Sequence, residues 1–149
     1  MTGATIPDPS DTARALRTAL ASYPTGVVAL AAEVDGQRVG MAVNSFTSIS
    51  LDPALVAVSV ARTSRTWPQL AVADRIGLSV LAAHQESVSR RLSARDGDRF
   101  GDVELHHADG GALLVEGAAL WLQAEPHTTL DGGDHEIVLL KIVEVAHFD

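Results

Sequence analysis

Apolar residues recur at helical spacing near the start of the chain and in short, nearly unbroken runs after it. Ala13, Leu16, Ala19 and Leu20 share one face of a predicted helix. Ser10 or Asp11 is placed to cap it, and Pro24 and Gly26 to end it. From Val27 the period changes. "VVALAAEV" and "QRVGMAVNSF" flank Asp35-Gly36, a pair that tolerates positive φ and so predicts a hairpin. Asp52-Pro53 predicts a turn, "ALVAVSV" a strand, residues 69–74 a short helix after Pro68, and "RIGLSVLA" another strand. "ESVSRRLSARD" predicts a helix with Val88 and Leu92 inward. "ALLVEGAALWLQAEPHTTL" predicts a long strand or bent pair, with Gly117 as bulge or bend.

The last run, "HEIVLLKIVEVAHF", separates the two kinds of sheet surface. Its two rows, Ile137-Leu139-Lys141-Val143-Val145 and Glu136-Val138-Leu140-Ile142-Glu144, are both largely apolar in the middle. A half-exposed strand alternates more cleanly, so the centre of this one is expected to be covered on both faces. Six or so such strands predict a small antiparallel barrel, its outside covered by helices or a second copy of the chain. Residues 1–10 carry two prolines and little periodicity and are expected to be a loose tail. Residues 11–149 form one domain, without internal repeats.

Composition narrows the partners. There is no cysteine, hence no disulfide framework or thiolate metal site. No apolar run approaches the length of a membrane span, and the start lacks a signal-peptide pattern, so a cytoplasmic protein is expected. A net charge of −8 without a basic cluster argues against nucleic acid. Six histidines invite a metal, but none falls at a recurrent ligand spacing, so no metal is expected.

Phosphate-loop and nucleophile-elbow fingerprints are missing. Three polar groups remain. In "GMAVNSFTSIS", Asn44, Ser45, Thr47, Ser48 and Ser50 surround Phe46. "ARTSRTW" offers short hydroxyls and the Arg62 and Arg65 forks, a set that suits phosphate. "DGGDHEI" sets His135 behind a glycine-rich turn. Each flanks an apolar strand. Gathered at one barrel end, they would offer a slot for a flat ring and donors for a phosphate.

In order, "ALRTALASYPTGVVALAAEVDGQRVGMAVNSFTSISLDPALVAVSVARTSRTWPQL", "GLSVLAAHQESVSRRLSARDGDRF" and "GDHEIVLLKIVEV" resemble the flavin reductase family over about residues 14–147. The resemblance implies a mostly β fold: an antiparallel, Greek-key split β-barrel of about six strands with a few flanking helices, working as a homodimer. It implies FMN or FAD as cofactor and NADH or NADPH as co-substrate. It also implies reduced flavin passed to a partner monooxygenase. By the same resemblance Ala42, Val43, Asn44, Ser45, Phe46, Thr47 and Ser48 line the flavin and its tail. Ala61, Arg62, Ser64 and Thr66 hold the phosphate end, and Phe100 sits near the ring. His135 is the catalytic candidate on the nicotinamide side, with Pro24, Thr25 and Gly26 near that face.

Two positions depart from the family pattern. Ala42-Val43 stands where Thr-Ala is common, and Ser79 where Asn is usual. Hydride transfer from the nicotinamide C4 to the flavin N5 needs orientation rather than a side-chain base, which agrees with the lack of a carboxylate dyad. The alternative is a flavin-binding module or carrier of the same fold without significant reductase activity. A structural barrel that binds no flavin is the remaining competitor.

Overall fold

The computed structural model describes residues 8–148. A helix α1 (Pro9–Leu20) leads into β1 (Val28–Val34) and β2 (Gln37–Val43). Then come β3 (Thr47–Leu51), β4 (Ala54–Ala61), the one-turn helix α2 (Trp67–Leu70) and β5 (Ile76–Val80). Helix α3 (Glu86–Ser93) precedes β6 (Leu105–His107), β7 (Leu113–Val115), β8 (Leu120–Gly132) and β9 (His135–His147). Seven strands form one antiparallel sheet in the order β2-β1-β5-β8-β9-β4-β3, and β6 and β7 pair separately.

The strand count therefore exceeds the six expected, and the sheet is not closed. The extra strands are short or polar: β3 reads "TSISL" and β6 "LHH", which carry little apolar signal. The two sheet edges, β2 and β3, are nonetheless joined by residues 44–46 alone. Six flat strand spacings would put the edges ~28 Å apart. Four Cα steps, Val43 to Thr47, reach at most ~15 Å. The sheet must curl until its edges almost meet, leaving a seam between them.

The Asp35-Gly36 turn is as expected, with both residues at positive φ and β1 and β2 paired from Val28↔Val43 to Val34↔Gln37. β1 is buried on both faces, which is why it reads as an unbroken apolar run. Val28, Leu30 and Ala32 join Val58, Leu78, Leu122 and Leu140 in the main core. Ala29 and Ala31 pack instead with Leu92, Phe100, Leu113 and Val115. Gly77 permits that second layer, because a Cβ there would lie 2.0 Å from the Leu113 carbonyl oxygen.

Several expectations are corrected. Helix α1 starts at Pro9 and is capped by Asp8, whose carboxylate accepts the Ser10 N–H, instead of by Ser10 or Asp11. Pro9 and Ser10 are thus helical, and residues 1–7 of the expected tail lie outside the described residues. Residues of α1 bury nothing, and Leu16 and Leu20 are exposed. Helix α2 begins at Trp67 rather than 69 and ends at Leu70, with the Trp67 N–H donated to Ser64 Oγ. The run 112–130 is a bent pair, β7 and β8, broken at Gly117 with φ 82°. In β9, Val138 and Leu140 are buried, whereas Lys141, Val143 and Val145 are exposed, so its second face is open in the single chain.

Candidate functional site

Beside the link from β2 to β3, between β2, the end of β4 and α3, lies a cavity of about 550 Å³. Its walls are Val27, Val43, Val60 and Ala61, with Asn44, Ser45, Ser64 and His135 among the polar groups. The Asn44 side-chain amide makes no hydrogen bond to another described residue and is free to serve a ligand. A second chamber of about 700 Å³ shares Met41, Ala42, Ser64 and Ser93 with the first and adds Thr63, Arg65, Thr66, Arg95 and Arg99. The two form one groove, apolar toward His135 and rich in hydroxyls and guanidinium groups further along.

Ser45 does structural work at the seam. Its Oγ accepts the Ser59 N–H at 2.8 Å and donates to the Ser59 carbonyl at 3.1 Å. It thereby pairs with the β4 backbone just past the end of the β3 ladder, whose last partner is Ala57. Phe46 packs on the main core. Thr47 and Ser48 lie exposed on edge strand β3, outside the groove lining. Of the segment "GMAVNSFTSIS", the groove therefore gathers Met41, Ala42, Val43, Asn44 and Ser45.

His135 opens β9, directly across from Ala61 of β4. Gly133, at φ 80°, makes the tight turn from β8. Nδ1 of His135 lies 2.7 Å from Asp134 Oδ1. An ionised carboxylate only accepts, so Nδ1 carries the proton and Nε2 is the nitrogen left for a ligand. That hydrogen bond, above all, holds the Asp134 carboxyl below its ordinary value.

Arg62 is committed elsewhere. Its Nε donates to the Gly133 carbonyl at 2.7 Å, Nη1 to Glu136 at 3.2 Å, and Nη2 to Asp131. Its backbone N–H donates to the Asp134 carbonyl. It is a brace for the hairpin that presents His135 and lines neither chamber. Ser64 and Thr66 do line the groove, and Thr66 Oγ1 accepts from Arg99 at 2.9 Å. Phe100 is 5% exposed, its ring set so close to Gly40 that a Cβ there would meet it at 2.5 Å. It lines neither of these chambers but an adjoining one, beside Arg99 and Gly40. Pro24, Thr25 and Gly26 are exposed and precede Val27, the first residue of this segment to reach the cavity.

Sequence reasoning missed Ser89 and Ser93, which face the cavity from α3. Their four-residue spacing on a predicted helix was the available signal. They bring hydroxyls to the chamber in which Ala42-Val43 has none. Ser79, the other departure from the family pattern, points away. Its buried Oγ accepts the Val115 N–H at 2.8 Å and knits β5 to β7.

The antiparallel sheet thus carries an apolar cavity that runs into a chamber rich in hydroxyl and guanidinium groups. Residues 20–149 match the flavin reductase like domain, and the chain belongs to that family. It is 38% identical to a flavin reductase of Pseudomonas putida over 87% of this chain and 76% of that one. It is 35% identical to the reductase component of the flavin-dependent trigonelline monooxygenase of Acinetobacter baylyi over 87% of this chain. The match covers 42% of that longer protein. Two further curated relatives are spanned over only 56% and 42% of their length. Among solved structures, the Streptomyces globisporus C-1027 NADH:FAD oxidoreductase SgcE6, in complex with NAD and FAD fragments, superposes with a TM-score of 0.86. It is 32% identical, over 97% of this chain and 87% of that one.

Proposed function

We propose that the groove holds a flavin and that the chain reduces it with NADH or NADPH, supplying reduced flavin to a partner monooxygenase. One observation carries the reading: the free Asn44 amide and His135 meet in an apolar cavity that continues into hydroxyls and guanidinium groups. The residues fit the cofactor. Val27, Val43 and Val60 give a flat ring its walls, and Ser64, Ser93 and Arg65 suit a phosphorylated tail. The curled, unclosed sheet is read as the split barrel of the family, and residues 11–149, together with the Pro9 and Ser10 start of α1, are read as one domain.

When bound, the flavin supplies the hydride acceptor. The chain's part is binding and orientation. Apolar walls exclude water from the ring. Asn44 fixes the ring edge by hydrogen bonding. His135, its tautomer set by Asp134, directs Nε2 at the incoming nicotinamide. Close approach in a stacked pose is the main requirement, so no side-chain base is used.

The chain is further read as half of a homodimer, with Leu16, Leu20, Tyr23, Ile49, Leu51 and Leu130 as the exposed apolar residues to be covered. A 12-residue helix that buries nothing is marginal alone, and a second copy would give α1 a surface. The activity is read as cytoplasmic, since it draws on nicotinamide reductant.

Rapid mixing of protein, flavin and NADH or NADPH tests the reading. The flavin absorbance should bleach at a protein-dependent rate. Flavin binding without bleaching would leave the carrier alternative, and no flavin binding would reject the reading.

A further inference from the structure

The groove does not stop where a mononucleotide would. Beyond the second chamber lies a third, of about 630 Å³, which shares Arg65, Thr66, Arg95 and Arg99 with it and adds Gln37 and Arg38. Strand β2 is the rail along all three. Val43 and Asn44 line the first, Met41 and Ala42 the first and second, and residues 37–40 the third. From Asn44 to Gln37 that is seven strand steps, ~23 Å at the usual rise. Each chamber alone falls within the ~300–1,000 Å³ range of small-ligand sites. Three in line suit an elongated ligand with a ring at each end.

Charge gathers in the far part. Four of the ten arginines converge there in a chain of net charge −8. Arg14, Arg62, Arg90 and Arg91 are all paired with carboxylates. The Arg38, Arg65 and Arg95 guanidinium groups make neither a hydrogen bond nor an ion pair with another described residue. Arg99 donates to the Gly40 carbonyl and to Thr66, both neutral oxygens.

Two carboxylates face these cations, Asp96 in the second chamber and Asp98 in the third. Asp98 is turned to its own loop, accepting the Gly101 and Phe100 N–H groups, and it lies within the electrostatic reach of Arg91 and Arg38, so it offsets part of the Arg38 charge without pairing with it. Gly36 and Gly97, both at positive φ, have open space where a Cβ would stand, which widens the entrance. Planar forks in this number match the paired phosphates of a dinucleotide, and a guanidinium plane also stacks on a purine.

Resting on the flavin reading above, we propose that this chain takes the dinucleotide flavin, FAD, in preference to FMN. The adenylate half lies along Arg38 and Arg95 in the third chamber. The isoalloxazine ring stays at the Asn44–His135 end.

The test is the dissociation constants of FMN and FAD, by flavin fluorescence, for the wild type, Arg38→Ala and Arg95→Ala. Both side chains are exposed and unbonded, so the variants should fold, which circular dichroism checks. The wild type should bind FAD about tenfold or more tightly than FMN, as one added charge-assisted contact suffices for that ratio. Arg38→Ala, which alters the third chamber alone, should lose about tenfold for FAD and hold FMN within about twofold, whereas Arg95→Ala, which also alters the second, should weaken FAD more than FMN. Equal wild-type affinity for the two flavins overturns the proposal while leaving the flavin site standing, as does equal loss of both flavins. Unchanged flavin affinities with a raised KM for NADPH alone also overturn it, assigning the arginines to the nicotinamide's extra phosphate. Failure of a folded wild type to bind either flavin removes the underlying reading as well.

Discussion

Arg62 and Arg65 sit three residues apart on one loop and have opposite fates. Arg62 reaches across to the β8–β9 turn and spends its guanidinium on a carbonyl and two carboxylates. Arg65 turns to the groove, and its side chain bonds no other described residue. The residue type is the same; the partner inventory decides the role. One end of the site is built by fixing a hairpin so that His135 is held. The other presents guanidinium groups that have no carboxylate partner among the described residues, the arrangement proposed to receive an anion. A cation already matched by two carboxylates adds little field, whereas an unmatched one acts over roughly a Debye length.

Replacing His135 by Ala should have the largest effect. We expect kcat/KM for the nicotinamide to fall about 10- to 100-fold, through a higher KM and lower turnover, because misplaced reactants lose rate steeply. Flavin affinity should barely change. Unaltered steady-state constants would remove His135 from the reaction. Arg62→Ala should act in the same direction but less, about tenfold, since it loosens the hairpin without deleting the ring. It also leaves Asp131 and Glu136 with no cation between them. Arg62→Lys should recover only part, as an ammonium cannot reproduce the fork. A loss of flavin affinity matching the loss for the nicotinamide would erase the distinction between the two arginines.

Arg65→Ala sharpens the comparison from the other side. Flavin affinity should drop about tenfold at low salt and by only about threefold at high salt, because screening weakens the wild-type attraction. Arg62→Ala should show no such salt dependence. Identical salt slopes would mean that Arg65 is merely structural.

The smallest effect concerns pH. The Asp134 carboxyl is held below 3.8, first by its hydrogen bond to His135. A carboxyl depressed by folding contributes above its unfolded value, and that contribution is lost only as pH falls through the lower, folded one. The Asp134–His135 contact should therefore persist from neutral pH down to about the ordinary carboxylate value. Nitrogen NMR of the imidazole should report a proton on Nδ1 throughout the neutral range. Asp134→Asn should mix the tautomers with little change in turnover. A wild type with the proton on Nε2 would contradict the geometry.

Much of the fold was legible. The Asp35-Gly36 hairpin follows from two residues that accept positive φ. The double burial of β1 shows in an apolar run without alternation. β3 and β6 were not legible, because "TSISL" and "LHH" read as polar loop until a neighbour pairs with them. At the site, Asn44 and His135 were visible as polar groups beside apolar strands. That Ser45 serves the β4 backbone and Arg62 the hairpin was not, since both partners are distant in sequence.

The sequence by itself determined the local elements, the polar segments that flank them and the family, because periodicity, turn chemistry and motif order are properties of neighbouring residues. Tertiary structure alone decided which polar groups remain free. Curling a seven-stranded sheet until a three-residue link spans its edges creates the seam. It brings residues 27, 44, 60, 93 and 135 to one cavity, and it sorts arginines into those paired with carboxylates and those with no such partner among the described residues, by what each can reach. Pairing across such separations is a matter of distance in space, which no local pattern encodes.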